Sequence, residues 1–284
     1  MRDYAVSYVD VFGDVPLGGN PVAVVHDADE LTDEQMAAFA RWTNLSETTF
    51  LLATRAAAAD YRLRILTPAG ELPYSGQPTL GSCYAWLEAG GHPQGAGLVV
   101  QECDIGCVDI RSTSGRLAFA APPLLRTGPL DDALLGRLRR ALDLPADAVC
   151  AHQWVDNGPG WCALLLDSAA TVRDVVPDYS AMSGLALGLV GPCLPSDSCD
   201  IELRAFVPDM GVPEDPVTGS LNAGVAQWLI REGLAPERYL ASQGGCVGRS
   251  GRIYIETDDG QIWVGGTTQQ VVVGTMALNA IRSD

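Results

Sequence analysis

Short apolar runs, broken every few residues by glycine, proline or aspartate, dominate this chain. β-Branched and aromatic residues concentrate in residues 4–12, 21–25, 48–52, 61–66, 97–101, 106–111 and 116–120, which predicts strands there. Helical signals are fewer. Thr32-Asp33-Glu34-Gln35 is a capping box that predicts a helix to about Thr43, and Pro78 suits the first position of a helix reaching Glu88 before Gly90-Gly91 stops it. The second half repeats the theme. Strands are predicted at 149–155, 161–166, 185–190, 201–207, 239–242, 252–257, 261–264 and 270–276, with a long helix from Pro216 to about Glu232. An extra helix at 131–142 follows Ala121-Pro122-Pro123, the best linker candidate, so lobes of 1–120 and 121–267 are expected, with a terminal strand at about 268–284 able to return to the first.

The theme repeats in letters as well as in pattern. Leu63-Arg64-Ile65-Leu66-Thr67-Pro68 and Gly76-Gln77-Pro78-Thr79-Leu80-Gly81-Ser82 recur as Leu203-Arg204-Ala205-Phe206-Val207-Pro208 and Glu214-Asp215-Pro216-Val217-Thr218-Gly219-Ser220. The Leu-Arg and Pro anchors repeat at an offset of 140 and the Pro-x-x-Gly-Ser anchors at 138, close to half of the 284 residues. Such internal similarity means a duplicated lobe, with chemistry expected where equivalent elements face each other. This alignment makes Gln77 and Asp215 equivalent.

Composition narrows the function classes. The net charge of −17 comes from 35 acidic against 18 basic residues, and there is no lysine, so nucleic acid is not an expected partner and Schiff-base chemistry is excluded. No apolar stretch approaches the length of a membrane span and no export signal is read at the N-terminus, so a cytoplasmic protein with no membrane partner is expected. The eight cysteines read as free thiols rather than as a disulfide framework. Without C-x-x-C, and with His26, His92 and His152 scattered, no metal site is expected.

Two acids stand out. Asp215-Pro216 could be no more than a cap followed by a first-turn proline. Its duplication with Gly-Ser inside the turn exceeds what capping requires, and two helix N-termini facing one cleft would offer N–H donors and positive dipole ends to a carboxylate. Glu47, in Asn44-Leu45-Ser46-Glu47-Thr48-Thr49-Phe50, lies between an amphipathic helix and an apolar strand. It is either a solvated turn residue or a partly buried acid with a raised pKa suited to proton transfer.

Five ordered motifs resemble the PhzF-like isomerase family of phenazine biosynthesis: Gly19-Asn20-Pro21-Val22-Ala23-Val24-Val25, Asn44 to Phe50, Glu71-Leu72-Pro73-Tyr74-Ser75-Gly76-Gln77-Pro78-Thr79-Leu80-Gly81, Glu214 to Ser220, and Gln243-Gly244 with Gly248-Arg249. The resemblance implies an α+β, diaminopimelate-epimerase-like fold: two pseudosymmetric lobes, each a mostly antiparallel, barrel-like sheet around a central helix, with the site between them. It further implies Glu47 as general acid/base, Asp215 as the motif aspartate and Gly219 with Ser220 as a carboxylate-binding turn. Gly76, Ser46 and Thr218 complete the candidate substrate-binding set.

One departure stands against the pattern. The position before Pro78 is typically histidine in the family and here is Gln77, which hydrogen-bonds but cannot titrate. Either the site is specialised for another substrate or catalysis has degraded into binding. The implied activity is a cofactor-free double-bond shift by proton transfer in a small cyclic unsaturated amino-acid-like acid, in a homodimer of specialised metabolism. Dihydro-hydroxyanthranilate and pyrroline carboxylates are the family's substrate types. Amino-acid racemisation by two thiols is the rival on the same fold, but its cysteines are expected at the positions of Gln77 and Asp215.

Overall fold

The computed structural model describes residues 2–278 apart from 96, 114 and 211, so the last part of the expected terminal strand, 279–284, lies outside the described residues. Two matching series of elements follow one another. The first is β1 (Arg2–Val11), β2 (Asn20–Val25), α1 (Asp33–Thr43), β3 (Glu47–Leu52), β4 (Tyr61–Leu66), β5 (Glu71–Leu72), α2 (Gly76–Glu88), β6 (Leu98–Cys103), β7 (Gly106–Thr113) and β8 (Arg116–Ala120). After α3 (Asp132–Ala141), the second is β9 (Val149–Trp154), β10 (Trp161–Leu166), α4 (Ala169–Asp174), β11 (Ala186–Pro192), β12 (Ile201–Phe206), β13 (Glu214–Asp215), α5 (Gly219–Arg231), β14 (Arg238–Gln243), β15 (Gly251–Asp258), β16 (Gln261–Gly266) and finally β17 (Thr268–Leu278). The capping box is present, with Thr32 Oγ1 accepting from Gln35 N and the Gln35 side chain accepting from Thr32 N. The six-residue α4 went unpredicted, because its only strong signal is the single N-cap Ser168.

Strand pairing shows the duplication directly. In each series a parallel pair (β2–β3, β10–β11) is followed by an antiparallel one (β3–β4, β11–β12), a parallel crossover (β4–β6, β12–β14) and antiparallel neighbours (β6–β7–β8, β14–β15–β16). The crossovers contain α2 and α5, as parallel pairing requires a long connection. β8 then pairs with β16, Phe119 opposite Val264, joining both series into one 17-stranded sheet. β17 returns to pair with β1 from Arg2↔Leu278 to Val11↔Thr268. No pairing among the described residues closes either series into a ring, so the barrel-like halves are parts of one open sheet.

Each central helix is covered by its own half of the sheet, α2 by β1, β2, β3 and β8, and α5 by β10, β15 and β16. Leu80 and Cys83 of α2 and Leu221, Val225 and Leu229 of α5 are buried in one core with Phe12, Tyr74 and Phe119. At roughly 1.5–3 kcal/mol per fully buried large aliphatic or aromatic side chain, this shared core is what holds the two halves together.

The repeat needs a different register from the one its letters suggest. α2 starts at Gly76 and α5 at Gly219, an offset of 143, so Pro78 is the third residue of its helix and Pro216 lies outside its helix altogether. Gln77 is therefore equivalent to Ser220. Asp215 pairs with Ala205 as Leu72 pairs with Ile65, so its counterpart is Leu72. The two prolines align in sequence but serve different turns, because proline's missing N–H is tolerated both in a first helical turn and in a loop.

The repeated arginines confirm the corrected register. Arg64 forks onto Glu71 at 2.7 and 2.6 Å, and Arg204 forks onto Glu214 at 2.9 and 2.8 Å. In both halves a fixed ion pair thus pins the short strand that leads to the central helix.

Candidate active site

The N-termini of α2 and α5 meet head to head. A Cβ on Gly219 would stand 2.8 Å from Gln77 N, and one on Gly76 would stand 3.0 Å from the Gly219 carbonyl carbon, so only glycine permits this approach. Neither helix is capped by its own N-cap side chain. Ser75 Oγ instead donates to Glu47 Oε1 at 3.0 Å, and Thr218 Oγ1 donates to Asp215 Oδ2 at 2.5 Å. Two uncapped, positively polarised helix ends therefore face each other with a carboxylate beside each.

Beside these ends lies a narrow cleft with about 390 Å³ of atom-free space, counting its open mouth. Its polar lining is Ser46, Glu47, Thr67, Ser75, Asp215, Thr218 and Ser220, and its apolar wall includes Leu72, Trp161, Val207 and Met210. Five of the sequence-derived candidates, Ser46, Glu47, Asp215, Thr218 and Ser220, are thus brought together. Gly76, Gln77 and Gly219 are not in the lining; they form the buried junction of the two helices beneath it.

Local structure explains how Glu47 gets there. Asn44 takes a left-handed conformation (φ 52°, ψ 33°) that ends α1, and the chain turns so that Glu47 opens β3, opposite Val22. In the second half, Trp161 and Ala186 occupy the positions of Val22 and Glu47. The site therefore has one acid at this position, supplied by the first half alone.

The two carboxylates differ in what supports them. Asp215 Oδ1 accepts from Asn20 Nδ2 at 2.9 Å, Oδ2 accepts from Thr218 Oγ1, and the nearby Ser46 hydroxyl further favours its charged form. Glu47 has a single donor, Ser75, and its buried Oε2 has no protein partner. Burial raises both acids. Glu47 is pushed up to about 8, first by burial and then by the charge of Asp215, while Asp215 is raised by burial against the lowering effect of its donors. Two carboxylates in one desolvated cavity cannot both ionise readily, and the better hydrogen-bonded one keeps the charge. The hydrogen bonds thus favour the charge on Asp215 and burial favours the proton on Glu47.

Neighbouring residues that drew no role from the sequence orient these groups. Gln243 Nε2 donates to Thr218 Oγ1 (2.9 Å) and to the Asp215 carbonyl (3.1 Å), which leaves the Thr218 hydroxyl proton for the Asp215 carboxylate. Asn20 also donates to Val217 O at 2.9 Å. Trp161 Nε1 donates to Ser220 Oγ at 3.0 Å, so the Ser220 hydroxyl proton is free to donate into the cleft. Asn20, Ser75 and Gln243 all lie within the resemblance motifs, a signal that could have found them. Trp161, a lone tryptophan opening a strand, carried none.

Residues 9–279 match the phenazine biosynthesis-like (PhzC-PhzF) family. The chain belongs to this family. It is 34% identical to the trans-2,3-dihydro-3-hydroxyanthranilate isomerase of Pseudomonas chlororaphis over 82% of this chain and 81% of that one. It is also 32% identical to antisense-enhancing sequence 1 of Schizosaccharomyces pombe, over 96% of this chain and 99% of that one. Among solved structures, a phenazine biosynthesis protein of Bacillus anthracis superimposes with a TM-score of 0.80 over 98% of this chain and all of that one, at 22% identity, which shows the shared fold.

Against this PhzF-like background Gln77 occupies a settled place. It is 1% exposed and its Nε2 donates to Asn20 O at 2.8 Å, while its Oε1 has no protein partner. Through Asn20 it reaches Asp215 without entering the cleft. No cysteine lines the cleft, and Cys83 is buried inside α2, so the thiol pair of a two-base racemase is missing from this lining. No helix among the described residues is long and apolar enough to cross a membrane.

Proposed function

We propose that this member of an isomerase family shifts a double bond, without a cofactor, in a small cyclic unsaturated amino-acid-like carboxylic acid. The observation that carries the reading is the Glu47–Asp215 pair: two buried carboxylates in one cleft whose hydrogen bonds set them apart. The substrate carboxylate sits at the two uncapped helix ends, with the Ser220 hydroxyl donating to it. Asp215 pairs with the substrate's nitrogen, and that pairing relieves the repulsion that helps hold the proton on Glu47. Glu47 then ionises, its proton leaving to solvent as the substrate enters, and the carboxylate removes an acidic C–H proton and returns it to a distant carbon of the delocalised system. A carboxyl whose pKa lies near neutrality is matched to both halves of this transfer. The helix-end N–H groups stabilise the charge that builds up between the two steps. Every group the transfer needs belongs to this chain.

Gln77 is a specialisation in this scheme. Its amide holds Asn20, which holds Asp215, so it sets the anion's position where a histidine would titrate. A homodimer working in the cytoplasm of a producer of specialised metabolites completes the reading, supported by the motif resemblance. The test is product analysis by NMR in deuterium oxide with a panel that includes trans-2,3-dihydro-3-hydroxyanthranilate and pyrroline carboxylates. One panel member is expected to isomerise with wild type and to remain unchanged with Glu47→Gln. Full turnover by that variant would overturn the mechanism.

A further inference from the structure

Outside the cleft, two of the eight cysteines meet. Cys193 and Cys199 stand at the mouth of the β11–β12 hairpin, and their sulfurs are 3.3 Å apart. The loop between them, Leu194-Pro195-Ser196-Asp197-Ser198, is tied down at several points. Cys193 N donates to Asp200 O at 2.9 Å, Asp197 N to Leu194 O at 2.9 Å and Leu194 N to Asp197 Oδ2 at 3.0 Å. Arg252 Nη2 adds a bond to Ser198 Oγ at 3.3 Å. The chain itself, rather than chance encounter, brings these two thiols together.

We infer that Cys193 and Cys199 are a redox pair, closing to a disulfide that locks the β11–β12 hairpin under oxidising conditions. A disulfide needs sulfurs about 2.05 Å apart, so closure asks for little more than an ångström of side-chain rotation in a backbone already held. The bond forms by exchange with a low-molecular-weight disulfide. The thiolate of one cysteine attacks it, releasing one small thiol and leaving a mixed disulfide, and the second cysteine displaces the other small thiol. Two electrons and two protons pass to the oxidant, and no atom is left over.

Glu202 also lies within 4.8 Å of both sulfurs, which raises the alternative of a bound metal ion. The Oε2 of that carboxylate is already engaged, accepting from Ser242 Oγ at 3.0 Å and Arg173 Nη1 at 3.2 Å, so a guanidinium already neutralises the carboxylate charge a cation would need. The same surroundings oppose a thiolate at Cys193. Burial and the Cys199 sulfur push the Cys193 thiol up to about 12, making it a slow leaving group once bonded. β12 runs from this pair toward Val207 on the cleft wall and carries the Ala205 rung that pairs with Asp215, so the lock stiffens the strand that supports the site.

The test incubates the full-length protein in excess oxidised glutathione, alkylates the remaining thiols and maps peptides by mass spectrometry. Expected is a 193–199 cross-link with loss of about 2 Da, both sulfurs unalkylated, reversal by dithiothreitol and a Tm raised by a few degrees. Cys193→Ser should abolish the cross-link, leaving Cys199 alkylatable or carrying a single glutathione, and remove the Tm shift. Three results would overturn the inference: both cysteines staying alkylatable, each carrying its own glutathione, or protection without mass change that a chelator abolishes.

Discussion

Glu47→Gln isolates the charge arrangement on which the proposed chemistry depends. In the folded protein Glu47 is pushed up to about 8, whereas in the unfolded chain it returns to the ordinary value of 4.5. At 1.36 kcal/mol per pH unit that gap corresponds to roughly 5 kcal/mol, and the Asp215 charge that contributes to it makes a few kcal/mol the working figure. Between pH 4.5 and 8 the folded state binds a proton that the unfolded state has lost. The stabilising contribution is therefore fully present below pH 4.5 and is lost as pH rises through about 8. Glutamine cannot titrate, so the variant should lack this part of the decline. Urea unfolding of both proteins at pH 5 and pH 8.5 measures it, with wild type losing a few kcal/mol more than the variant between the two. Equal losses would mean that Glu47 is not protonated in the folded protein, and the assignment of anion and acid would fail. In activity the same variant should lose two to four orders of magnitude in kcat, the usual contribution of a positioned proton carrier.

Other expectations follow from the twofold relation and its breaks. Arg204→Met strands the buried Glu214 carboxylate and should cost about 3–5 kcal/mol in urea unfolding, whereas Arg64→Met, whose partners are partly exposed, should cost about 1 kcal/mol or less. Trp161→Phe removes the indole donor to Ser220 and should raise KM about 5- to 10-fold with little change in kcat, as one hydrogen bond of about 1 kcal/mol implies. Gly219→Ala places a methyl 2.8 Å from Gln77 N, so the helix ends must part; substrate binding should be lost and Tm should fall by several degrees. Gln77→Leu leaves the Asn20 carbonyl without its donor and should cost about 1–3 kcal/mol of stability, read by thermal unfolding, while Gln77→His can still donate and should cost less.

Much of the fold was legible in the sequence. Strand runs, the capping box and the two long helices were readable because glycine, proline and β-branched residues act over a few neighbours, and most predicted elements are observed within two or three residues. The motifs around Asn44–Phe50 and Glu214–Ser220 gathered five of the residues that line the cleft. The register of the repeat is not legible in the letters where two prolines align, because one proline can serve a helical turn or a loop, and only the pairing of β5 with β4 and β13 with β12 distinguishes them. The pairing of β8 with β16 and the return of β17 to β1 join segments far apart in the chain and left no local signature.

By itself, then, the sequence determined the duplication, the family and which acids could matter, because these depend on residue identity and spacing. The tertiary structure decided that Gln77 lies beneath the cleft, that Trp161 aims Ser220, and that Asp215 is held by donors on both oxygens while Glu47 has one. Apart from Thr218, three residues from Asp215, those outcomes depend on burial and on distant donors, from Ser75 on Glu47, 28 residues away, to Asn20 on Asp215, 195 residues away. A carboxyl group's proton affinity belongs to its surroundings, and the surroundings exist only once the two halves have closed on each other.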